Sequence, residues 1–151
     1  MTFREATGAD GPSVRSLLES SKLPTESLGT GGTSFFVAEE HGELAGIAGF
    51  EYYGRDALLR SVAVPSALRE KGIGSQLVDF MLETARSRNV QRVVLLTETA
   101  EPFFSRMGFA AVPRAQIDNP ALASSSEFTH ACPTSAVCMV YPMDPPPGKD
   151  R

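Results

Sequence analysis

The sequence has no tryptophan, only two cysteines and two histidines, no surplus of positive charge and no long apolar run. With 14 lysines and arginines against 18 aspartates and glutamates, the net charge is −4, and the basic residues are scattered apart from one turn. That balance argues against nucleic acid or an anionic membrane as the main partner. No stretch approaches the roughly 18 apolar residues of a membrane span. The opening MTFREATGADG also lacks the basic and apolar regions of a signal peptide, so a cytoplasmic location is expected. There Cys132 and Cys138 are expected to be free thiols rather than a disulfide. Soft-metal sites gather more ligands at closer spacing than these two thiols offer, and no metal is expected. His41 reads as a solvated turn residue and His130 as a surface residue. At 42% hydrophobic and 21% charged, the chain suits one domain over residues 1–142, followed by a polar, proline-rich tail at 143–151.

What the chain does have is a basic, glycine-containing turn between an apolar strand and an amphipathic helix. The strand Leu58 to Val64 ends at Pro65, and Arg69-Glu70-Lys71-Gly72-Ile73-Gly74 leads to a helix opening at about Gly74-Ser75. Glycines let backbone approach a ligand, the first N–H groups of a helix lack partners inside it, and its dipole places partial positive charge there. Arg69 and Lys71 add two cations, so the turn suits a phosphate-bearing ligand. A P-loop needs Gly-Lys-Ser/Thr at its end, whereas here the lysine precedes the glycines; a dinucleotide fingerprint needs a third glycine where Leu77 stands.

The remaining elements follow from periodicity and turn chemistry. Thr2 to Ala6 reads as a strand, and Asp10 before Gly11-Pro12 as a helix start whose side chain accepts from the orphan N–H groups. That helix would bury Val14, Leu17 and Leu18 and end near Ser21, ahead of a glycine-rich loop through Gly32. Ser34 to Glu39 and Leu44 to Tyr53 form a hairpin about His41-Gly42, and Gly54-Arg55-Asp56 turns into the strand Ala57 to Val64. In the helix after the basic turn, Ile73, Leu77, Met81 and Ala85 make one stripe, widened by Val78 and Leu82. Arg86 and Arg88 suit its negative end, and Asn89 a stop. Val93 to Thr97 is apolar throughout, as in a strand buried on both faces, which makes the centre a βαβ unit. A short helix from Glu101 to Met107 and the pair Gly108-Phe109 open another strand. The long connection from Pro113 holds a short helix near Ser125 to Cys132, and the last strand is Ala136 to Tyr141.

The turn, with Arg69, Gly72 and Gly74 after a Val-Ala-Val strand, resembles motif A of the GNAT family of N-acetyltransferases. The resemblance implies an α/β (α+β) fold: a mixed, mostly antiparallel sheet of six to seven strands, a central βαβ unit and helices on both faces. It implies acetyl-CoA as cosubstrate, its pyrophosphate on Arg69, Glu70, Lys71, Gly72, Ile73, Gly74 and Ser75. Pantetheine would run beside Val62, Ala63 and Val64, with the Val62 N–H facing the thioester oxygen and Thr97, Phe103 and Phe104 completing the cofactor set. Many members carry a tyrosine general acid four residues before the glycine of the Gly-Phe pair. Phe104 stands there, so no general acid is assigned; a thiolate leaves tolerably unaided.

For a base, Glu51 stands out in the apolar strand IAGFEYY, near Arg60 in the equally apolar LLRSVAV. If the turn is Arg55-Asp56, Glu51 faces Arg60; if it is Gly54 to Asp56, Glu51 pairs with Leu59 and points to the other face. The pair is either a cross-strand ion pair worth under about 1 kcal/mol or functional, Arg60 holding an acceptor carboxylate while Glu51 draws the ammonium proton. Glu127, Phe128, Cys132, Pro133, Ser135 and Ala136 resemble a segment of bacterial N-acetylglutamate synthases and of the small acetyltransferases of arsenic-resistance operons. This implies a small glutamate-like amine acceptor, arsenic-containing analogues included, with Ser126, Glu127, Cys132 and Ser135 on the acceptor side. The alternatives are a synthase of N-acetylglutamate for arginine biosynthesis and a non-catalytic coenzyme A-binding regulatory domain. A homodimer is compatible with the long segment after Gly108.

Overall fold

The computed structural model describes residues 1–26, 28, 32–131 and 135–143. Seven strands, β1 (Thr2–Glu5), β2 (Ser34–Glu40), β3 (Glu43–Tyr53), β4 (Asp56–Ala63), β5 (Arg92–Thr97), β6 (Ala110–Val112) and β7 (Val137–Pro142), form one sheet. Its order is β1-β2-β3-β4-β5-β7-β6. β4 and β5 run parallel, and β1-β2, β2-β3, β5-β7 and β6-β7 are antiparallel. The mostly antiparallel sheet with a βαβ centre agrees with the expected fold class. Among the described residues four α-helices accompany it: α1 (Gly11–Ser20), α2 (Ile73–Ser87), α3 (Glu101–Arg106) and α4 (Pro120–Ala123). The chain divides into two compact units, one of Met1–Glu51 with Leu59–Met81, the other of Tyr52–Leu58 with the chain from Leu82 onward.

In the first unit, alternation along β2 and β3 sends side chains to two faces. The β2-β3 turn places His41 and Gly42 at φ 55° and 79°, the two left-handed residues that a tight hairpin requires. On one face α1 lays Val14, Leu17 and Leu18 over Val37, Ile47 and Ala63. Leu18, Val37 and Ile47 are fully buried, each worth about 1.5–3 kcal/mol of transfer free energy. On the other, Phe80 of α2 stacks on Phe3 and meets Phe36 edge-on, with centroids 5.4 and 5.8 Å apart. Gly46 permits the close approach of this helix: a methyl there would lie 3.3 Å from Leu77 Cδ2.

Asp10 does not cap α1. Its carboxylate accepts from Arg4 Nη1 and Nη2 at 2.8 and 3.0 Å and from the Thr7 N–H at 2.7 Å. It closes the single turn of residues 8–10 that precedes the helix, because the guanidinium is the stronger donor.

In the second unit, Asp56, Ala57 and Leu58 at the start of β4 stand opposite Arg92, Val93 and Val94 of β5. Leu58, Val94, Leu96, Ile117, Leu122, Ala136 and Cys138 make the core. Burial pushes the Cys138 thiol up, which keeps it protonated and inert. Two corrections apply here. Asp56, expected in the turn, belongs to the strand: the turn is Gly54-Arg55 alone, and Asp56 is fully buried. The connection after Pro113 also contains α4, signalled by Asn119-Pro120. Asn119 Oδ1 accepts from the Leu122 N–H at 3.2 Å, and proline fills the first turn.

α2 begins at Ile73 rather than at Gly74-Ser75. It stops as expected at Asn89, φ 61°, where the Val90 N–H returns to the Ala85 carbonyl at 3.0 Å. Arg86 pairs with Glu83 at 2.7 Å, and Arg88 lies over the Tyr52 ring and donates to its hydroxyl at 2.9 Å.

Candidate active site

The basic turn projects into solvent. Arg69, Glu70, Lys71 and Gly72 are exposed, while Ile73 is buried and anchors the first turn of α2. Arg69 donates from Nε to the Val64 carbonyl at 3.1 Å, which ties the cation to the end of β4. Glu70 and Gly72 take φ 66° and 81°. A left-handed backbone is costly with a side chain, and a methyl added at Gly72 would meet nothing within 4 Å, so its place is held by backbone conformation and the space beside it is open. Among the described residues, no side chain accepts from the amides of Gly72, Ile73, Gly74 or Ser75. Amides at a helix start beside two cations could hold a phosphate group.

One backbone feature escaped sequence reading. Ser61 sits inside β4 with φ 59°, immediately before Val62. A single left-handed residue within a strand kinks it and takes the next N–H out of the regular ladder, as a bulge does. No glycine marks the place, which is why the pattern LLRSVAV reads as an unbroken strand.

Glu51 and Arg60 do meet. Arg60 Nη1 lies 2.6 Å from Glu51 Oε2, and the same oxygen accepts from Thr33 Oγ1 at 2.9 Å. Arg60 Nε also reaches Ser61 Oγ at 3.4 Å. The turn Gly54-Arg55 matches neither of the two expected turns, and the long Arg60 side chain reaches Glu51 all the same. Arg60 and Glu51 are 3% and 7% exposed, so the cross-strand ion pair is a buried one rather than a solvent-screened one.

Other expected site residues lie in the second unit. Phe104 is buried and packs edge-on to Phe103 and Phe109, with centroids 5.0 and 5.5 Å apart; Phe103 is half-buried. Thr97 Oγ1 accepts from the Ala100 N–H at 3.0 Å. Ser125 caps the wide turn Glu127–Ala131, its Oγ accepting from the Phe128 N–H at 3.3 Å. Glu127 is buried and Ser135 exposed, and Cys132 lies outside the described residues.

Residues 31–111 match the family model of the acetyltransferase (GNAT) domain. An amino-acid acetyltransferase of Mycobacterium tuberculosis is 33% identical over 119 residues, covering 72% of this chain and 68% of that one. The fold is shared with N-acetylglutamate synthase of Neisseria gonorrhoeae, solved with coenzyme A and N-acetyl-glutamate, at TM-score 0.80 and 18% identity over 95% of this chain. This chain spans only 35% of that synthase. A Mycobacterium tuberculosis protein solved with CoA superposes at TM-score 0.75 and 24% identity, covering 95% of this chain and 99% of that one. The chain belongs to the GNAT acetyltransferase family. The family and the amino-acid acetyltransferase relative make it an acetyltransferase.

Proposed function

We propose that the chain acetylates the α-amine of a small, carboxylate-bearing, glutamate-like amino acid. The observation that carries this reading is the buried Arg60–Glu51 pair, set across β3 and β4 among apolar neighbours such as Phe50 and Leu59. Replacing a buried ion pair by apolar residues of the same volume is often neutral or stabilising, which makes this pair a candidate for a role beyond folding. A guanidinium offers five N–H donors, enough to hold Glu51 and an acceptor carboxylate together. The amino-acid acetyltransferase relative supports an amino acid as acceptor.

In this reading Arg69, Lys71 and the amides of Gly72 to Ser75 bind the donor's pyrophosphate, with Glu70 shaping the turn. Val62, Ala63 and Val64 lie along pantetheine, and the kink at Ser61 supports the Val62 N–H as the donor to the thioester oxygen. Glu51 draws the ammonium proton, directly or through water, and the freed amine attacks the thioester carbon. The attacking nitrogen gives its second proton to water, the C–S bond breaks, and the thiolate leaves without a tyrosine to protonate it, Phe104 being part of the core. Ser126, Glu127 and Ser135 are acceptor-side candidates by resemblance alone.

Thiol release from acetyl-CoA across amino acids with one and two carboxylates, arsenic- and phosphorus-containing analogues, and simple amines tests the reading. Turnover is expected for acceptors with an α-amine and a carboxylate, greatest with glutamate-like ones. Preference for amines without a carboxylate would overturn it.

A further inference from the structure

We propose that Thr33 is a positioning residue for the acceptor, setting the Glu51–Arg60 pair from the side on which the acceptor arrives; this rests on the reading of Arg60 as the acceptor's carboxylate holder. Three observations converge. The Thr33 hydroxyl donates to Glu51 Oε2, the same oxygen that Arg60 Nη1 uses. With a hydroxyl on one side and a guanidinium on the other, the carboxylate is fixed in plane, and so is the guanidinium it holds.

Thr33 also lines a cleft of about 730 Å³ together with Thr7, Pro12, Val14, Leu28 and Phe35. Of the three side chains in the triad, Thr33 alone lines that cleft among the described residues. A ligand entering there meets the Thr33 side chain before the buried acid.

The third observation is Gly49. A methyl at this position would come within 3.0 Å of Thr33 Cγ2, 3.4 Å of Phe35 Cε1 and 3.5 Å of the Arg60 carbonyl. A missing side chain on β3 thus makes the room in which Thr33 reaches Glu51. The backbone of Gly49 has no positive φ to require glycine, so the space is the reason for it.

The test is steady-state kinetics on Thr33→Val, Thr33→Ser and Gly49→Ala, with KM for the acceptor and for acetyl-CoA measured separately. Thr33→Val keeps shape and removes the hydroxyl. Loss of a hydrogen bond to a charged group is expected to raise the acceptor KM about tenfold while the acetyl-CoA KM stays at the wild-type value. Thr33→Ser restores the acceptor KM, and Gly49→Ala, by displacing Thr33, raises it. An acceptor KM unchanged in Thr33→Val, or a serine variant as impaired as the valine one, overturns the proposal. If the wild type prefers carboxylate-bearing acceptors and the valine variant still behaves normally, the acceptor reading stands and the role of Thr33 falls. If the wild type prefers amines without a carboxylate, both fall.

Discussion

Asp56 and Arg92 stand opposite each other across the parallel β4-β5 pair and close a two-point ion pair, Nε to Oδ1 at 3.0 Å and Nη2 to Oδ2 at 2.8 Å. Asn119 Nδ2 adds a third donor to Oδ2 at 2.9 Å and also holds the Tyr53 carbonyl at 2.8 Å. Arg92 reaches on to Asp118 at 3.0 Å. One fully buried carboxylate thereby ties the parallel pair to the start of α4. Asp56→Asn keeps the volume and removes the charge, leaving Arg92 without its main partner. A loss of about 3 kcal/mol is expected, as for breaking a buried pair. Urea unfolding measures it, and an unchanged midpoint would refute the assignment.

The Arg4–Asp10 pair supplies a pH dependence of known sign. The guanidinium of Arg4, hydrogen-bonded to Asp10, holds that carboxyl well below the usual carboxylate range, and the Thr7 N–H adds to the effect. A depressed carboxyl contributes stability that is complete above its unfolded pKa, near 4, and is lost as pH falls through the folded value. The pair is partly exposed, its side chains 34% and 17% accessible, so solvent screening keeps its contribution modest. The wild type should therefore exceed Asp10→Asn in melting temperature at pH 6, with the gap closing below about pH 4. A gap that stays constant from pH 7 to pH 3 would contradict this.

The periodic elements were legible because each is decided by its own residues. Val14, Leu17 and Leu18 mark α1, the stripe from Ile73 to Ala85 marks α2, and the unbroken run from Val93 to Leu96 marks a strand buried on both faces. Asp56 was not legible: an acid after Gly-Arg reads as turn chemistry, and what draws it into the strand is an arginine 36 positions later. Thr33 was missed for a related reason, since its partner is fixed by the packing of β3 rather than by any neighbour. Ser61 gave no signal because its positive φ carries no glycine. Asn119-Pro120 is a helix-start signal that was overlooked within the long connection.

At Ser61 the left-handed backbone is tolerable for a small polar side chain and much less so for a β-branched one. Ser61→Val is expected to straighten β4 and return the Val62 N–H to the ladder. If that N–H serves the developing charge on the thioester oxygen, kcat falls about a hundredfold, the cost of one such donor. The acetyl-CoA KM should change little, because Arg69 and the helix start remain. A normal kcat in a variant whose circular dichroism and melting match the wild type would remove Val62 from the catalytic set.

Glu51 has two candidate roles that pH separates. As the group that takes the ammonium proton, it matters most where the acceptor amine is protonated, so Glu51→Gln should lower kcat/KM about a hundredfold near neutrality. The deficit should shrink as rising pH strips the amine of its proton without help. As a group that only holds Arg60 in place, Glu51 would be missed equally at every pH, because a guanidinium stays charged throughout. Glutamine can still accept from Thr33 and Arg60, so the triad's geometry is disturbed less than its charge. The pH profile of Glu51→Gln therefore reads the proton and not the scaffold. A deficit of constant size from acid to alkaline pH would leave Glu51 as a positioning residue for Arg60.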